Sequence, residues 1–156
     1  MSTKYVIQFT GKVSSPQATS FCLGVTSPGI NAPVVLSNLG FTANTEWTLD
    51  PVTGYVTSVA DPSLCLSFSG TSPSNGTPLV LQQPLPGSLN QQWNWSGNSP
   101  RIVSASFPTY AIDDSGCTQT PGTPLQMYNT SGQCQGWRLI TVAQAQALAK
   151  AANQSA

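Results

Sequence analysis

The chain has 156 residues, of which five are Lys or Arg, five are Asp or Glu and none is His, so its net charge is zero. Charged residues make up 6% of the chain and Ser, Thr, Asn and Gln together supply 59 residues, whereas 39% are hydrophobic, which is enough to form a core. This composition provides no basic patch to neutralise phosphates, so we expect no nucleic acid partner, and no apolar run is long enough for a membrane span.

Short β-strands are predicted along most of the chain. Residues 5–9, 55–59 and 101–104 are rich in β-favouring side chains, and Gly, Pro, Asn and Ser interrupt the sequence at the spacing typical of sandwiches and barrels. Helix-forming residues become frequent only from residue 142, in an Ala/Gln-rich C-terminal tail at 142–156. So short a helix is marginal on its own, and we expect a frayed tail or the beginning of a linker.

Three anchors recur three times in the same order. Each unit has an apolar opening, then a Pro that precedes an apolar alternation, and then a Trp. The openings are 21–23, 64–66 and 110–112, and the other anchors are Pro33, Pro78 and Pro124 with Trp47, Trp93 and Trp137. Three units of about 45 residues, each with about four strands, would close into a three-lobed barrel that buries its strand edges.

The alternation after each Pro predicts which side chains face the core. Successive residues of a strand point to opposite faces. The inward positions are Val34 and Leu36, Leu79 and Leu81, and Leu125 and Met127. The outward positions are Val35 and Ser37, Val80 and Gln82, and Gln126 and Tyr128. The lobes therefore differ mainly on the outward face.

The residues around each Trp carry a recognisable signature. Gln91-Gln92-Trp93 and Gln135-Gly136-Trp137 match Q-x-W, and Thr45-Glu46-Trp47 is a degenerate copy. With the Cys-Leu openings and the period, residues from about 5 to 140 resemble the ricin B-type β-trefoil lectins, which are also classed as a carbohydrate-binding module family. The resemblance implies an all-β fold, with one β-trefoil domain at 1–141 and three pseudo-equivalent lobes at about 5–50, 51–97 and 98–141.

In that family each lobe can hold one shallow sugar site. An aspartate accepts hydrogen bonds from sugar hydroxyls, and an aromatic ring stacks on the apolar face of the sugar. In the third lobe these positions are Asp113 and Tyr128, with Gln126 as the outward polar residue and Gln135 as the start of Q-x-W. Cys134 stands where the family usually has Asn, and Asn129 is the candidate to replace that contact.

The first two lobes lack the pair of acceptor and aromatic residue. The corresponding positions are Gly24, Val35 and Ser37 in the first lobe, and Ser67, Val80 and Gln82 in the second. By the family rule neither lobe is expected to bind sugar. A purely structural interpretation also stays open. In it the Q-x-W residues are scaffold, residues 113–116 form a turn, and Tyr128 is an ordinary surface aromatic.

The four cysteines fall into two pairs. Cys22 and Cys65 occupy equivalent positions in different lobes, and we expect free thiols in the core. Cys117 and Cys134 lie 17 residues apart in the third lobe. The family commonly has a bridge within one repeat, usually from the opening Cys, which is Ala111 here. Both states stay open: a Cys117–Cys134 disulfide requires an oxidising compartment, and in a reducing one the two thiols stay free.

Catalysis, cofactors and metals are not expected. Without His there is no Cys–His or Ser–His–Asp arrangement, and four widely spaced Cys do not form a zinc pattern. Asp113 and Asp114 are the only acids close enough in sequence to pair, and adjacent residues of a strand face opposite sides. We therefore predict a binding protein and no enzyme.

The resemblance implies a lectin for galactose- or GalNAc-type glycans. One shallow site binds weakly, so a homo-oligomer or a larger multivalent assembly is expected. The alternatives are a β-trefoil protease inhibitor, acting through 69–78 or 83–87, and a toxin-associated targeting module connected through the tail. The N-terminus is not typical of a signal peptide, which indicates a cytoplasmic or non-classically secreted protein.

Overall fold

The structure, a computed structural model, describes residues 3–40, 42–95 and 100–154. The backbone of these residues forms twelve short strands, two single 3-10 turns and one helix. The strands are β1 Tyr5–Gly11, β2 Phe21–Val25, β3 Val34–Asn38, β4 Trp47–Leu49, β5 Val56–Ser58, β6 Cys65–Phe68, β7 Leu79–Gln82, β8 Trp93–Trp95, β9 Ile102–Ser104, β10 Tyr110–Asp114, β11 Leu125–Asn129 and β12 Gly136–Thr141. The 3-10 turns are Ala43–Thr45 and Ser115–Cys117, and the helix α1 is Val142–Gln154.

Six of the strands form a closed ring. β1 pairs with β12 on one side and with β4 on the other, and β4–β5 and β8–β9 are antiparallel pairs. The two remaining junctions are single backbone hydrogen bonds: the N–H of Trp93 donates to the carbonyl of Gly54 at 3.1 Å, and that of Trp137 donates to the carbonyl of Pro100 at 2.9 Å. Each barrel strand therefore has a neighbour on both sides.

The other six strands form three hairpins, β2–β3, β6–β7 and β10–β11, which cap the barrel. Each hairpin touches the next through an equivalent antiparallel bridge, and the three bridges are Pro33 with Val80, Pro78 with Gln126, and Pro124 with Val35. This threefold arrangement is the β-trefoil that the repeats predict. The expected boundary between the second and third lobes, at 97/98, lies outside the described residues.

The three Trp side chains fill equivalent places in the core. The indole N–H of Trp47 donates to the carbonyl of Leu23 at 3.1 Å, and those of Trp93 and Trp137 donate to the equivalent carbonyls of Leu66 and Ile112, both at 3.0 Å. The residues predicted to point inward are buried, and they are Val34, Leu36, Leu79, Leu81, Leu125 and Met127. Each Trp thus packs its lobe and satisfies a buried carbonyl.

The C-terminal tail departs from the expectation of a frayed end. Thr141 and Gln144 form a reciprocal cap: the backbone N–H of Gln144 donates to the Thr141 hydroxyl at 3.1 Å, and the backbone N–H of Thr141 donates to the Gln144 side-chain oxygen at 2.8 Å. Ala145 is buried against the barrel with Val6 and Ile140. Packing and capping together stabilise a helix that propensity alone would leave marginal. Residues 155 and 156 of the tail lie outside the described part.

Two further findings bear on partners and cofactors. Within residues 3–40, 42–95 and 100–154, no helix is long and apolar enough to cross a bilayer. The same part of the chain contains no group of three or more His, Cys, Asp or Glu side chains that could hold a metal ion.

Candidate functional site

The β10–β11 hairpin brings three of the predicted site residues onto one face. Asp113 lies directly opposite Gln126, and Tyr128 lies opposite Ala111, two pairs further along. Residues that face each other across an antiparallel pair project to the same side. Ile112 and Met127, on the other side, are fully buried in the core. The outward face predicted from the alternation is therefore the face of the candidate site.

Asp113 is the centre of the site. Its carboxylate is held by two amides: Gln126 Nε2 donates to Oδ1 at 3.1 Å and Gln135 Nε2 donates to Oδ2 at 3.2 Å. The residue is only 6% exposed. Burial raises the pKa of Asp113, the two amide donors partly offset that rise, and the charge of neighbouring Asp114 adds to it. An ionised carboxylate has about four acceptor positions, so each oxygen keeps capacity for a ligand hydroxyl.

Gln135 is fully buried and connects Asp113 to the loop that follows β11. Its amide nitrogen also donates to the backbone carbonyls of Asn129 at 2.9 Å and Tyr128 at 3.4 Å, and its oxygen accepts from Arg101 Nε at 2.7 Å. Gly132 closes over this group, since a Cβ there would lie 2.6 Å from Gln135 Nε2 and 2.8 Å from Asp113 Oδ2. Only glycine leaves room for that approach. Arg101 and Gly132 were absent from the sequence prediction.

Asn129, predicted to replace a missing sugar contact, uses its side chain within the protein. Its backbone N–H and its side-chain amide donate to Asn75 Oδ1 at 2.9 and 3.3 Å. Its own side-chain oxygen accepts from the backbone N–H of Ser131 at 2.9 Å and from the Ser131 hydroxyl. Asn129 therefore shapes the rim beside Tyr128. Asn75, which sequence reasoning missed, reaches this rim from the β6–β7 hairpin of the second lobe.

Asp114 holds a turn and does not face the site. It is buried, and its carboxylate oxygens accept from the Thr118 hydroxyl at 3.1 Å and the Gln119 backbone N–H at 2.9 Å. The same loop is tied by a disulfide between Cys117 and Cys134, whose Cα atoms are 5.5 Å apart. Of the two states considered from the sequence, the structure contains the bridged one.

In the second lobe an asparagine side chain makes hydrogen bonds at the position of this disulfide. There Asn90, the counterpart of Cys134, donates to the carbonyls of Phe68 at 2.8 Å and Gly70 at 3.0 Å.

Cys22 and Cys65 are buried and free, as expected from the sequence. Burial raises the pKa of the Cys22 thiol to about 12, so this thiol is unreactive near neutral pH.

The equivalent faces of the other lobes have no carboxylate. Gly24 lies opposite Val35 in the first lobe, and a Cβ on Gly24 would lie 2.4 Å from Ser37 Oγ, so that face is tightly packed. In the second lobe Ser67 lies opposite Val80.

A depression of about 570 Å³ lies over the second lobe, and its described lining residues carry no charge. Its rim includes three exposed apolar side chains: Ile30 at 63%, Leu85 at 65% and Leu89 at 53% exposed.

Two amide side chains of that depression, Gln91 and Asn90, already have hydrogen-bond partners within the protein. The Gln91 side-chain oxygen accepts from the Leu85 backbone N–H at 2.9 Å, and its amide donates to the carbonyl of Gln83 at 2.8 Å. The Asn90 amide donates to Gln82 as well as to the backbone. Although the depression is roomy, it offers no carboxylate acceptor. The third lobe is the better candidate for recognising hydroxyl groups.

Comparison with known proteins places the fold among β-trefoils. No protein-family model and no curated protein matches the sequence. The C-half of the earthworm R-type lectin, solved with GalNAc, is similar with a TM-score of 0.69 and 14% identity, over 89% of this chain and 98% of that one. The Macrolepiota procera ricin B-like lectin, solved with lactose, gives a TM-score of 0.67 and 23% identity, over 88% and 94% of the two chains.

A third similar structure is the β-trefoil lectin of the Vibrio vulnificus hemolysin/cytolysin, solved with N-acetyl-D-lactosamine. Its TM-score is 0.67 and its identity 19%, over 90% of this chain and 95% of that one. The fold of the ricin B-type β-trefoil lectins, inferred above from the Q-x-W repeats, is thereby confirmed. Identities this low establish the fold, and function has to be argued from the site.

Proposed function

We propose that this chain is a carbohydrate-binding lectin and that its third lobe binds galactose- or GalNAc-type glycans. One observation carries the proposal: the carboxylate of Asp113, held by Gln126 and Gln135, lies on the same face of the hairpin as Tyr128, its diagonal neighbour on the paired strand. The corresponding faces of the first and second lobes have Gly24 and Ser67 in place of the carboxylate.

This combination suits a neutral sugar. A fixed carboxylate orients hydroxyl groups through charge-assisted hydrogen bonds, and an aromatic ring packs against the C–H face of a pyranose. The three similar lectins were solved with GalNAc, lactose and N-acetyl-D-lactosamine, which all contain galactose or its N-acetylamino derivative. A single shallow site binds weakly, and a homo-oligomer or multivalent assembly would supply avidity.

The arrangement favours binding over catalysis. Glycoside cleavage uses two carboxyl groups that flank one bond, about 5 to 9.5 Å apart. Asp114, the acid adjacent to Asp113, lies opposite Leu125 on the other face of the hairpin and is engaged by Thr118 and Gln119. It therefore cannot act together with Asp113 on one sugar.

Calorimetric titration with lactose and with GalNAc tests the proposal. We expect Asp113→Asn to abolish measurable binding. A carboxylate has two oxygens that accept hydrogen bonds, whereas the asparagine amide has one, and its nitrogen only donates. Tyr128→Ala should weaken binding roughly tenfold, which corresponds to the loss of one aromatic contact. The matched second-lobe variants Ser67→Ala and Gln82→Ala should bind like the wild type.

Near-ultraviolet circular dichroism shows whether each variant keeps the native core. The proposal is wrong if the folded wild type binds nothing on an array of galactose-, mannose- and chitin-type glycans. It is also wrong about the lobe if the second-lobe variants lose binding while the third-lobe variants retain it.

A further inference from the structure

Arg101 and Asp113 contact opposite ends of the Gln135 side-chain amide: Arg101 donates to its oxygen, and Asp113 accepts from its nitrogen. From the geometry we infer that Arg101 is a positioning residue: its guanidinium fixes the orientation of the Gln135 amide, and the amide in turn holds the Asp113 carboxylate for ligand hydroxyls. The effect on sugar binding rests on the proposed function. The effect on Asp113 does not, because it is a property of the free protein.

The surroundings of Gln135 allow one orientation of its amide. Three oxygen atoms surround its nitrogen: the Asn129 carbonyl at 2.9 Å, Asp113 Oδ2 at 3.2 Å and the Tyr128 carbonyl at 3.4 Å. On the other side Arg101 Nε donates to its oxygen at 2.7 Å. A flipped amide would place oxygen against three acceptors and nitrogen against a cation, so the charged donor disfavours that state.

The second lobe achieves the same orientation without an arginine. Gln91, the counterpart of Gln135, donates to the carbonyl of Gln83 and accepts from the backbone N–H of Leu85. The loop that supplies Leu85 runs from Gln82 to Gln91, which is two residues longer than the stretch from Tyr128 to Gln135 in the third lobe. In the third lobe, where this stretch is shorter, the donor to the equivalent oxygen, that of Gln135, is Arg101.

The threefold arrangement shows that this arginine is specific to the third lobe. Pro100 pairs with Trp137 as Gly54 pairs with Trp93 and Tyr5 with Trp47. The next residues, Arg101, Tyr55 and Val6, therefore occupy equivalent positions. Of the three, the guanidinium occurs in the lobe that also has Asp113.

Arginine suits this position better than lysine. Besides the bond from Nε, its Nη2 donates to the carbonyl of Gly132 at 3.1 Å. Gly132 is the residue that closes over Asp113 and Gln135. The planar fork thus fixes the amide and the loop together, whereas a lysine ammonium is a single point of attachment.

The test measures the titration of Asp113 by carboxyl ¹³C NMR in the ligand-free wild type, Arg101→Met and Arg101→Lys. Asp114, on the same strand, acts directly on the pKa of Asp113. Tyr128 lies on the same face, and Arg101 is connected to Asp113 through Gln135. Donation from Gln135 lowers the pKa of Asp113. We therefore expect Arg101→Met to raise this pKa and Arg101→Lys to raise it less, while Tyr55→Met, at the equivalent second-lobe position, leaves it unchanged.

Lactose titration of the same proteins gives the second readout. We expect Arg101→Met to weaken binding roughly tenfold, as for the loss of one charge-assisted hydrogen bond in the network. An Asp113 pKa in Arg101→Met equal to that of the wild type overturns the inference. If Arg101→Met does not fold, an unchanged Asp113 titration in Arg101→Lys overturns it.

The two proposals fail in different ways. If the wild type binds no sugar but Arg101→Met still raises the pKa of Asp113, the lectin function is wrong and the positioning role stands. If sugar binds and Arg101→Met leaves both the titration and the affinity unchanged, the lectin function stands and the positioning role is wrong.

Discussion

At Asp113 the requirements of binding and of folding oppose each other. Binding needs an ionised carboxylate, whereas burial raises the pKa of Asp113 and so favours the protonated form in the folded protein. The folded state then holds more protons at this residue than the unfolded state over the pH range between the two pKa values. The contribution of Asp113 to stability is therefore greatest at low pH and falls as the pH rises through the raised pKa.

We predict that the free energy of unfolding of the wild type, minus that of Asp113→Asn, decreases as the pH rises above the ordinary pKa of an aspartate and through the raised pKa of Asp113. Urea unfolding followed by Trp fluorescence measures both proteins at each pH. Lactose affinity of the wild type should rise over the same range as the carboxylate ionises.

Asp50→Asn is a control of opposite sign. Backbone hydrogen bonds from Val52 and Thr53 lower the pKa of the exposed Asp50, so its contribution to stability is lost as the pH falls. If the difference in free energy of unfolding between the wild type and Asp113→Asn stays constant or increases with pH, the pKa of Asp113 is not raised in the folded protein.

Part of the site could be predicted from local sequence and part could not. Strand alternation correctly placed Gln126 and Tyr128 on one face, because a two-residue period is a local property, and the family resemblance added Asp113, which the strand register places on the same face. Arg101 and Asn75 contact the site from 34 and 54 residues away along the chain. In a sequence so rich in amides and hydroxyls, neither residue type marks such a contact in advance.

At the scale of elements, the loop after β10 is held by two constraints. Cys117 and Gln119 have positive φ values of 56° and 50°, a region that residues other than glycine rarely adopt. The Asp114 carboxylate and the Cys117–Cys134 bridge both hold this loop. The bridge also anchors the backbone directly before Gln135.

We predict that Cys117→Ser/Cys134→Ser lowers the free energy of unfolding by roughly 3 kcal/mol, as estimated from loop closure for a segment of this length. Urea unfolding measures the loss. A reductant should destabilise the wild type by a similar amount and leave the double variant unaffected, since Cys22 and Cys65 are already free. Equal stability of the oxidised wild type and the double variant would show that the bridge does not stabilise the fold.

The helix shows where element prediction failed. Composition indicated helix-forming residues from 142 onward but gave no reason for order. The sequence did contain one, Thr141-x-x-Gln144, which forms the reciprocal cap, and a small residue, Ala145, which packs against the barrel. The cap could have been recognised from spacing, whereas the packing depends on the assembled barrel surface.

For the whole molecule, the repeat predicts the fold and its departures from symmetry indicate the function. The three Trp residues make the same hydrogen bond in each lobe, and the three hairpins touch through equivalent bridges. Those anchors fill equivalent core positions, which is why self-similarity alone was enough to infer a closed three-lobed barrel. The candidate site is built from residues that break the threefold pattern, namely Asp113, Tyr128 and Arg101.

The scarcity of charge leads to a prediction for the whole surface. Five cations and five anions in 156 residues leave no extended field, and the proposed ligand is neutral. We predict that the affinity for lactose changes by less than about twofold between low and high sodium chloride concentrations, because salt screens interactions between charged partners. Titration calorimetry at both salt concentrations measures this. A steep loss of affinity with salt would indicate a charged ligand instead.

The most direct test of the proposed site is a crystal structure of the protein with lactose. We expect a galactose ring stacked on Tyr128, with hydroxyl groups within hydrogen-bond distance of the Asp113 carboxylate. Sugar bound in the second-lobe depression beside Ile30, Leu85 and Leu89, or no sugar at Asp113 at saturating lactose, would show that the proposed site is wrong.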